Sequence, residues 1–119
     1  MTIKCVAILV AFTGLAIAEP KHPDYPKARS LCNEHVTGNK MHILWKSSAT
    51  GDALAKVVAH YEKLLKVKAG TGDHGERSFR DGDHQLAIFP AANAEKFPSC
   101  STKPKAGEQT VILRSQGIR

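Results

Sequence analysis

The chain reads as α+β: one amphipathic helix packed on a mostly antiparallel four-stranded sheet. Three observations carry that reading. Leu54, Val57, Val58, Tyr61, Leu64 and Leu65 recur at helical spacing. Two runs of strand-forming residues flank Asp81-Gly82, a strong hairpin signal. Two further runs, MHILWK from Met41 and EQTVILRS from Glu108, are rich in residues that suit a pleated surface.

The first eighteen residues belong to a different category. Lys4 gives a short positive head, Val6 to Leu15 an apolar run, and Ala16-Ile17-Ala18 the small-x-small pattern of a cleavage site. The apolar run falls short of the roughly 20 residues that a membrane-spanning helix needs. Residues 1–18 therefore read as a signal peptide cut before Glu19, which sends the protein to the periplasm or the extracellular space. Its loss lowers the net charge from +6 to +5 and leaves all six histidines in place. What remains suffices for one modest core and not for two domains.

Cys5 leaves with the signal, so Cys32 and Cys100 remain in an oxidising compartment. A bridge between them would close a loop of about 68 residues, for which chain entropy gives roughly 4 kcal/mol. The alternatives are two buried thiols or a redox cysteine, and no Cys-x-x-Cys spacing supports the latter.

Along the domain, residues 19–27 carry three prolines in nine and suggest a flexible, solvated lead-in. Residues 28–119 form the domain proper. Ala28 to Val36 fits a short helix directing Leu31, Cys32 and Val36 inward, with Thr37-Gly38-Asn39 ending it. Met41 to Lys46 is the first strand, with Met41, Ile43 and Trp45 on one face and His42, Leu44 and Lys46 on the other. SSATG then turns the chain, Thr50 caps the long helix, Asp52 complements its dipole, and Gly70 stops it.

In the hairpin, a two-residue turn at Asp81-Gly82 sets Arg80 against Asp83. It gathers Arg77, Phe79, His84, Leu86 and Ile88 on a core face. Pro90 ends that strand, Ala91 to Lys96 makes one helical turn, and residues 98–107 form a loop before the last strand. The order is β-α-β-β-(short α)-β, a ferredoxin-like plan or a related two-layer sandwich. Fold order alone carries no activity.

No stretch of the sequence announces catalysis. Asp73, His74, Glu76, Arg77, Arg80, Asp81, Asp83 and His84 are dense in potential ligands. His74 and His84, however, fall at opposite ends of the hairpin, on the order of 20 Å apart at 3.3 Å per residue. No metal or cofactor is expected. Gly70-Thr71-Gly72-Asp73-His74-Gly75 matches a dinucleotide fingerprint only literally, because it follows a helix, precedes a strand and carries an acid where a phosphate would sit. Nucleophile elbows, zinc-protease helices and glycan acceptors are missing.

His42, His60 and His84, with Arg77, are the polar candidates. The spacing brings no two of the histidines together, so no catalytic residue is assigned. Lys56, Lys63, Lys66, Lys68, Lys103, Lys105, Arg114 and Arg119 give a positive border suited to an anionic ligand or surface. Few aromatics accompany it, which leaves out the stacking platform of a single-strand binder. The expectation is a non-enzymatic accessory or ligand-binding protein. The alternative is a small nuclease-like hydrolase of polyanions using histidine acid–base chemistry.

Overall fold

A computed structural model describes residues 21–38, 41–97 and 100–118. The export signal read in residues 1–18 lies outside them. The fold is α+β, but with six strands rather than four: β1 Arg29–Gly38, β2 Met41–Thr50, β3 Gly70–Thr71, β4 Arg77–Asp81, β5 His84–Pro90 and β6 Thr110–Ile118. One helix, α1, spans Leu54–Leu65. The strands form a single sheet in the order β1-β2-β6-β5-β4-β3, antiparallel at every pairing. This differs from the ferredoxin-like order. The chain leaves β2, crosses the sheet through α1 to the far edge, and returns as a meander that closes β6 onto β2.

The segment read as a first helix is β1. Ser, Cys, Asn, His, Val and Thr, all weak helix formers, dominate RSLCNEHVTG, and the ladder to β2 supplies its backbone hydrogen bonds from Arg29↔Ala49 to Gly38↔Met41. The pairing slips between Ser30 and Cys32, a β-bulge that sends both Leu31 and Cys32 into the same apolar cluster. The turn expected at SSATG is also strand. Ser47 through Thr50 pair with Leu113 through Thr110, and Ser47, Ala49 and Thr50 are buried there.

Helix α1 buries Val57, Val58 and Tyr61, whereas Leu64 is 50% exposed and falls off the expected stripe. Its N-cap is Ala53 rather than Thr50, whose Oγ1 instead accepts the Asp52 N–H. The helix stops at Lys66 in the left-handed conformation, with the cap N–H donating to Glu62 O, well before Gly70, which opens β3. The β4–β5 turn is centred one residue later than expected: Asp81 pairs with His84, and Gly82 at φ 62° leads the two-residue turn, as in type II′. The shift moves the register by two, so Arg77, Phe79, His84, Leu86 and Ile88 still share one face.

Two apolar clusters lie on opposite sides of the sheet. On the helix side, Val57, Val58 and Tyr61 meet Phe79, Leu86, Ile88 and Ile112. On the other side, Leu31, Ala49, Ala87, Phe89, Val111, Leu113 and Cys100 gather, with Phe97 stacked on Phe89 at 4.0 Å between ring centroids. A disulfide joins Cys32 of β1 to Cys100, with 5.8 Å between their Cα atoms. Arg29 adds a second tie to the same region, donating from Nε and Nη2 to the Glu108 carboxylate at 2.9 and 2.7 Å.

Residues 21–28 are a strap rather than a loose lead-in. Its own His22 and Tyr25 are buried. Tyr61 Oη donates to Pro23 O at 2.6 Å, and Tyr25 Oη donates to Asp52 Oδ2 at 2.5 Å. The prolines deny this segment a helix, and a turn at Pro26-Lys27, with Lys27 at φ 62° and the Ala28 N–H donating to Tyr25 O at 3.2 Å, leads it into β1.

Candidate functional site

On the face away from α1, β2, β6, β5 and β4 form the floor of an open groove of about 530 Å³. The register explains its shape. Trp45, Ser115 and Gln85 fall in one cross-strand row, and Leu113, Ala87 and Ser78 in the next. The middle positions carry small side chains, while Trp45 and Ile43 rise on one side and Phe97 on the other. Small residues between large ones make the hollow. Phe97 is set in place by its stack on Phe89, and the backbone there is tied by the Phe97 N–H to Ala94 O.

The polar groups of the groove are few: Ser78, Ser115, Gln85 and Glu76. Arg80 Nη2 donates to Gln85 Oε1 at 2.9 Å, which orients that amide, and Glu76 Oε1 accepts the His74 N–H at 2.9 Å. None of the lining residues is a histidine, lysine or arginine. A mostly apolar hollow of this volume with a few convergent polar groups has the proportions of a small-molecule site.

The residues singled out from sequence lie elsewhere, each with its own neighbours. His42 sits by the β1–β2 end, its Nδ1 3.2 Å from His35 Nε2. His60, on the flank of α1, meets the rings of Tyr25 and Tyr61 edge-on at 5.0 and 5.1 Å. Arg77 lies beside Glu62, with 3.9 Å between Nη2 and Oε2, and its buried Nε has no hydrogen-bond partner among the described residues. His84 Nδ1 accepts the Lys21 N–H at 2.9 Å, next to the Lys21–Asp81 ion pair. Among the described residues no three histidine, cysteine or acidic side chains gather to hold a metal ion.

His22 falls in the segment expected to be a solvated lead-in, yet it is the most buried of the six histidines, at 3% exposure. Burial, then the neighbouring His84, Lys21 and Arg114, hold its pKa below the usual histidine value, against an opposing pull from Asp81. Arg114, expected on the positive border, is buried too. It donates from Nη1 to His22 O at 2.6 Å and pairs through Nη2 with Asp24. Burial raises the Tyr25 hydroxyl to about 12, helped by its hydrogen bond to Asp52.

The sequence does contain a signal for the groove. Val111-Ile112-Leu113 and Leu86-Ala87-Ile88-Phe89 are apolar at both parities, so both faces of β5 and β6 need cover, and a single helix covers only one. No family model, curated protein or solved structure matches the chain, so the geometry of these residues is the ground on which its function is read.

Proposed function

We propose that this is an exported, non-enzymatic ligand-binding protein that holds a flat, largely apolar molecule against the open face of its sheet. The observation that carries the reading is the groove between Trp45 and Phe97, floored by Ala87, Ser78 and Ser115. Its walls suit a ring or a short apolar chain. Gln85, Ser78, Ser115 and the Glu76 carboxylate suit a donor-bearing end of that ligand. Export is supported by the Cys32–Cys100 disulfide, which persists in an oxidising compartment. Among the described residues no helix is long and apolar enough to cross a membrane.

The nuclease-like reading asks for histidines that share a substrate, and the groove is lined by none. Trp45, the chain's one tryptophan, makes the test direct. Titration with the neutral aromatic probe N-phenyl-1-naphthylamine should change Trp45 emission and saturate. Ser115→Leu, which fills the floor, should abolish the response. A probe that leaves Trp45 emission unchanged, or that binds Ser115→Leu as well as the parent, would remove the proposal. Cleavage of RNA or DNA abolished by His42→Ala or His84→Ala would put the hydrolase in its place.

A further inference from the structure

Of the residues that line the groove under Trp45, Glu76 alone carries a charge; the others are apolar or, at Ser78, Ser115 and Gln85, neutral. Glu76 stands just before β4, two positions from Ser78, and so shares the groove face with it. Its place is fixed by the β3–β4 turn. Oε1 accepts the His74 N–H at 2.9 Å, and the Glu76 carbonyl accepts the Gly72 N–H, also at 2.9 Å. The carboxylate fits only because residue 72 has no side chain: a β-carbon on Gly72 would overlap it. His74 is anchored in turn. Its carbonyl accepts from Asn93 Nδ2 at 2.8 Å, and its ring meets Phe97 edge-on at 6.2 Å between centroids. Asn93 lies in the 3-10 turn Ala91–Lys96, and Phe97 directly follows it, so the carboxylate and the aromatic wall of the groove are tied to each other.

No cation of the chain answers this carboxylate. Among the described residues Glu76 takes part in no ion pair. Arg77, next in sequence, lies on the opposite face beside Glu62. Two other charges stand on the groove face, Glu34 and Arg80, at the outer ends of the row through Trp45, Ser115 and Gln85. They are opposite in sign, and neither lines the groove. Arg80 donates to Gln85 and lies four positions along the chain from Glu76, on the order of 13 Å at 3.3 Å per residue. In a chain of net charge +6, a half-buried carboxylate beside apolar walls and without a cation is an exception. Its field is screened less there than in open water.

We infer that the ligand of the groove is a flat apolar amine bound as its ammonium ion, with the ring or chain between Trp45 and Phe97 and the ammonium donating to the Glu76 carboxylate. This rests on the reading of the groove as a ligand site and adds the sign of the ligand's charge. Gly72 acts as a positioning residue, since it leaves the room in which the carboxylate is held.

The test is calorimetric titration of the disulfide-bonded protein at pH 7 with three ligands that share one ring system: 1-naphthylmethylamine, 1-naphthylmethanol and 1-naphthoate. The amine is expected to bind about tenfold tighter than the alcohol, as for gain of a hydrogen bond between charged groups, and the naphthoate weakest of the three. Glu76→Gln should bring the amine down to the alcohol and leave the alcohol unchanged. Gly72→Ala, which keeps the charge but displaces it, should narrow the same gap. Glu34→Gln, the same charge change on the same face outside the groove, should leave the gap as it is. If amine and alcohol saturate with equal affinity, the ammonium assignment is overturned and the groove remains a ligand site. If none of the three binds, the groove reading falls and this inference with it. Equal losses in Glu34→Gln and Glu76→Gln would also overturn the assignment, because they would trace the preference to general charge rather than to the placed carboxylate.

Discussion

Removing the Cys32–Cys100 bridge should lower the melting temperature by about 20 °C. The bridge spans 68 positions of sequence. With that loop length the chain-entropy relation gives about 4.4 kcal/mol lost from the folded state's advantage at 25 °C. A domain of this size gains about 0.2 kcal/mol per kelvin in unfolding entropy at its midpoint, which converts the loss to roughly 20 °C. The structure says why the native state should survive the change. β1 keeps its ladder to β2, and Arg29 still pairs with Glu108, whose carboxyl that guanidinium and the Lys105 N–H hold down at about 2. The assay is thermal unfolding by circular dichroism of the parent protein against the Cys32→Ala/Cys100→Ala double variant. A drop under about 5 °C would refute the reasoning, because it would mean that the unfolded chain is already as compact without the bridge.

Two other outcomes follow from local geometry. His22 has its pKa lowered in the folded state, so the unfolded chain takes up the proton first. Stability is then fully present above the ordinary histidine value of about 6.5 and declines as pH falls through it, until the buried imidazole itself protonates. Urea midpoints compared at pH 8 and pH 5.5 should show this loss, and His22→Leu should flatten it; an unchanged slope would show that other groups set the acid response. Gly82→Ala should cost about 1 kcal/mol by denaturant unfolding. Its φ of 62° disfavours a β-carbon while nothing lies within 4 Å to clash with one, and a neutral result would contradict the left-handed turn.

What could be read from sequence was whatever depends on near neighbours. The helix is legible because its pattern repeats within one element, and the β4–β5 hairpin because Asp81-Gly82-Asp83 turns the chain within a few residues. Even the misplaced turn left the faces correct, since a register change of two preserves parity. β1 was illegible for the opposite reason. Nothing in RSLCNEHVTG repeats strongly, and its state is decided by the partner strand β2, which in turn runs four residues beyond its apolar part because β6 offers Thr110 to Leu113 to pair with. The strap is a similar case. Prolines argue against a helix there, but whether such a segment floats or docks depends on Tyr61, Arg114 and the sheet beneath it, which lie 38 to 92 positions away.

The groove has its cause in the fold, and that makes the candidate site more than an incidental gap. A sheet whose central strands are apolar at both parities must be covered twice, and among the described residues one α-helix of 12 residues and a 3-10 helix of 6 are there to do it. On the helix side the shortfall is met by the strap, and the sheet beneath it turns polar at Ser30, Asn33, Lys46, Ser48 and Arg114. On the other side the disulfide-tied loop and Phe97 cover Phe89 and Val111 but leave Trp45 half-buried and Ile43 exposed at the edge of the groove. Filling the groove with one bulky side chain at Ser115 would bury more apolar surface than the present residue does, which on stability alone is favourable. The Ser78 and Ser115 hydroxyls on that floor are therefore not what burial alone would select, and the ligand proposed above would give them a partner.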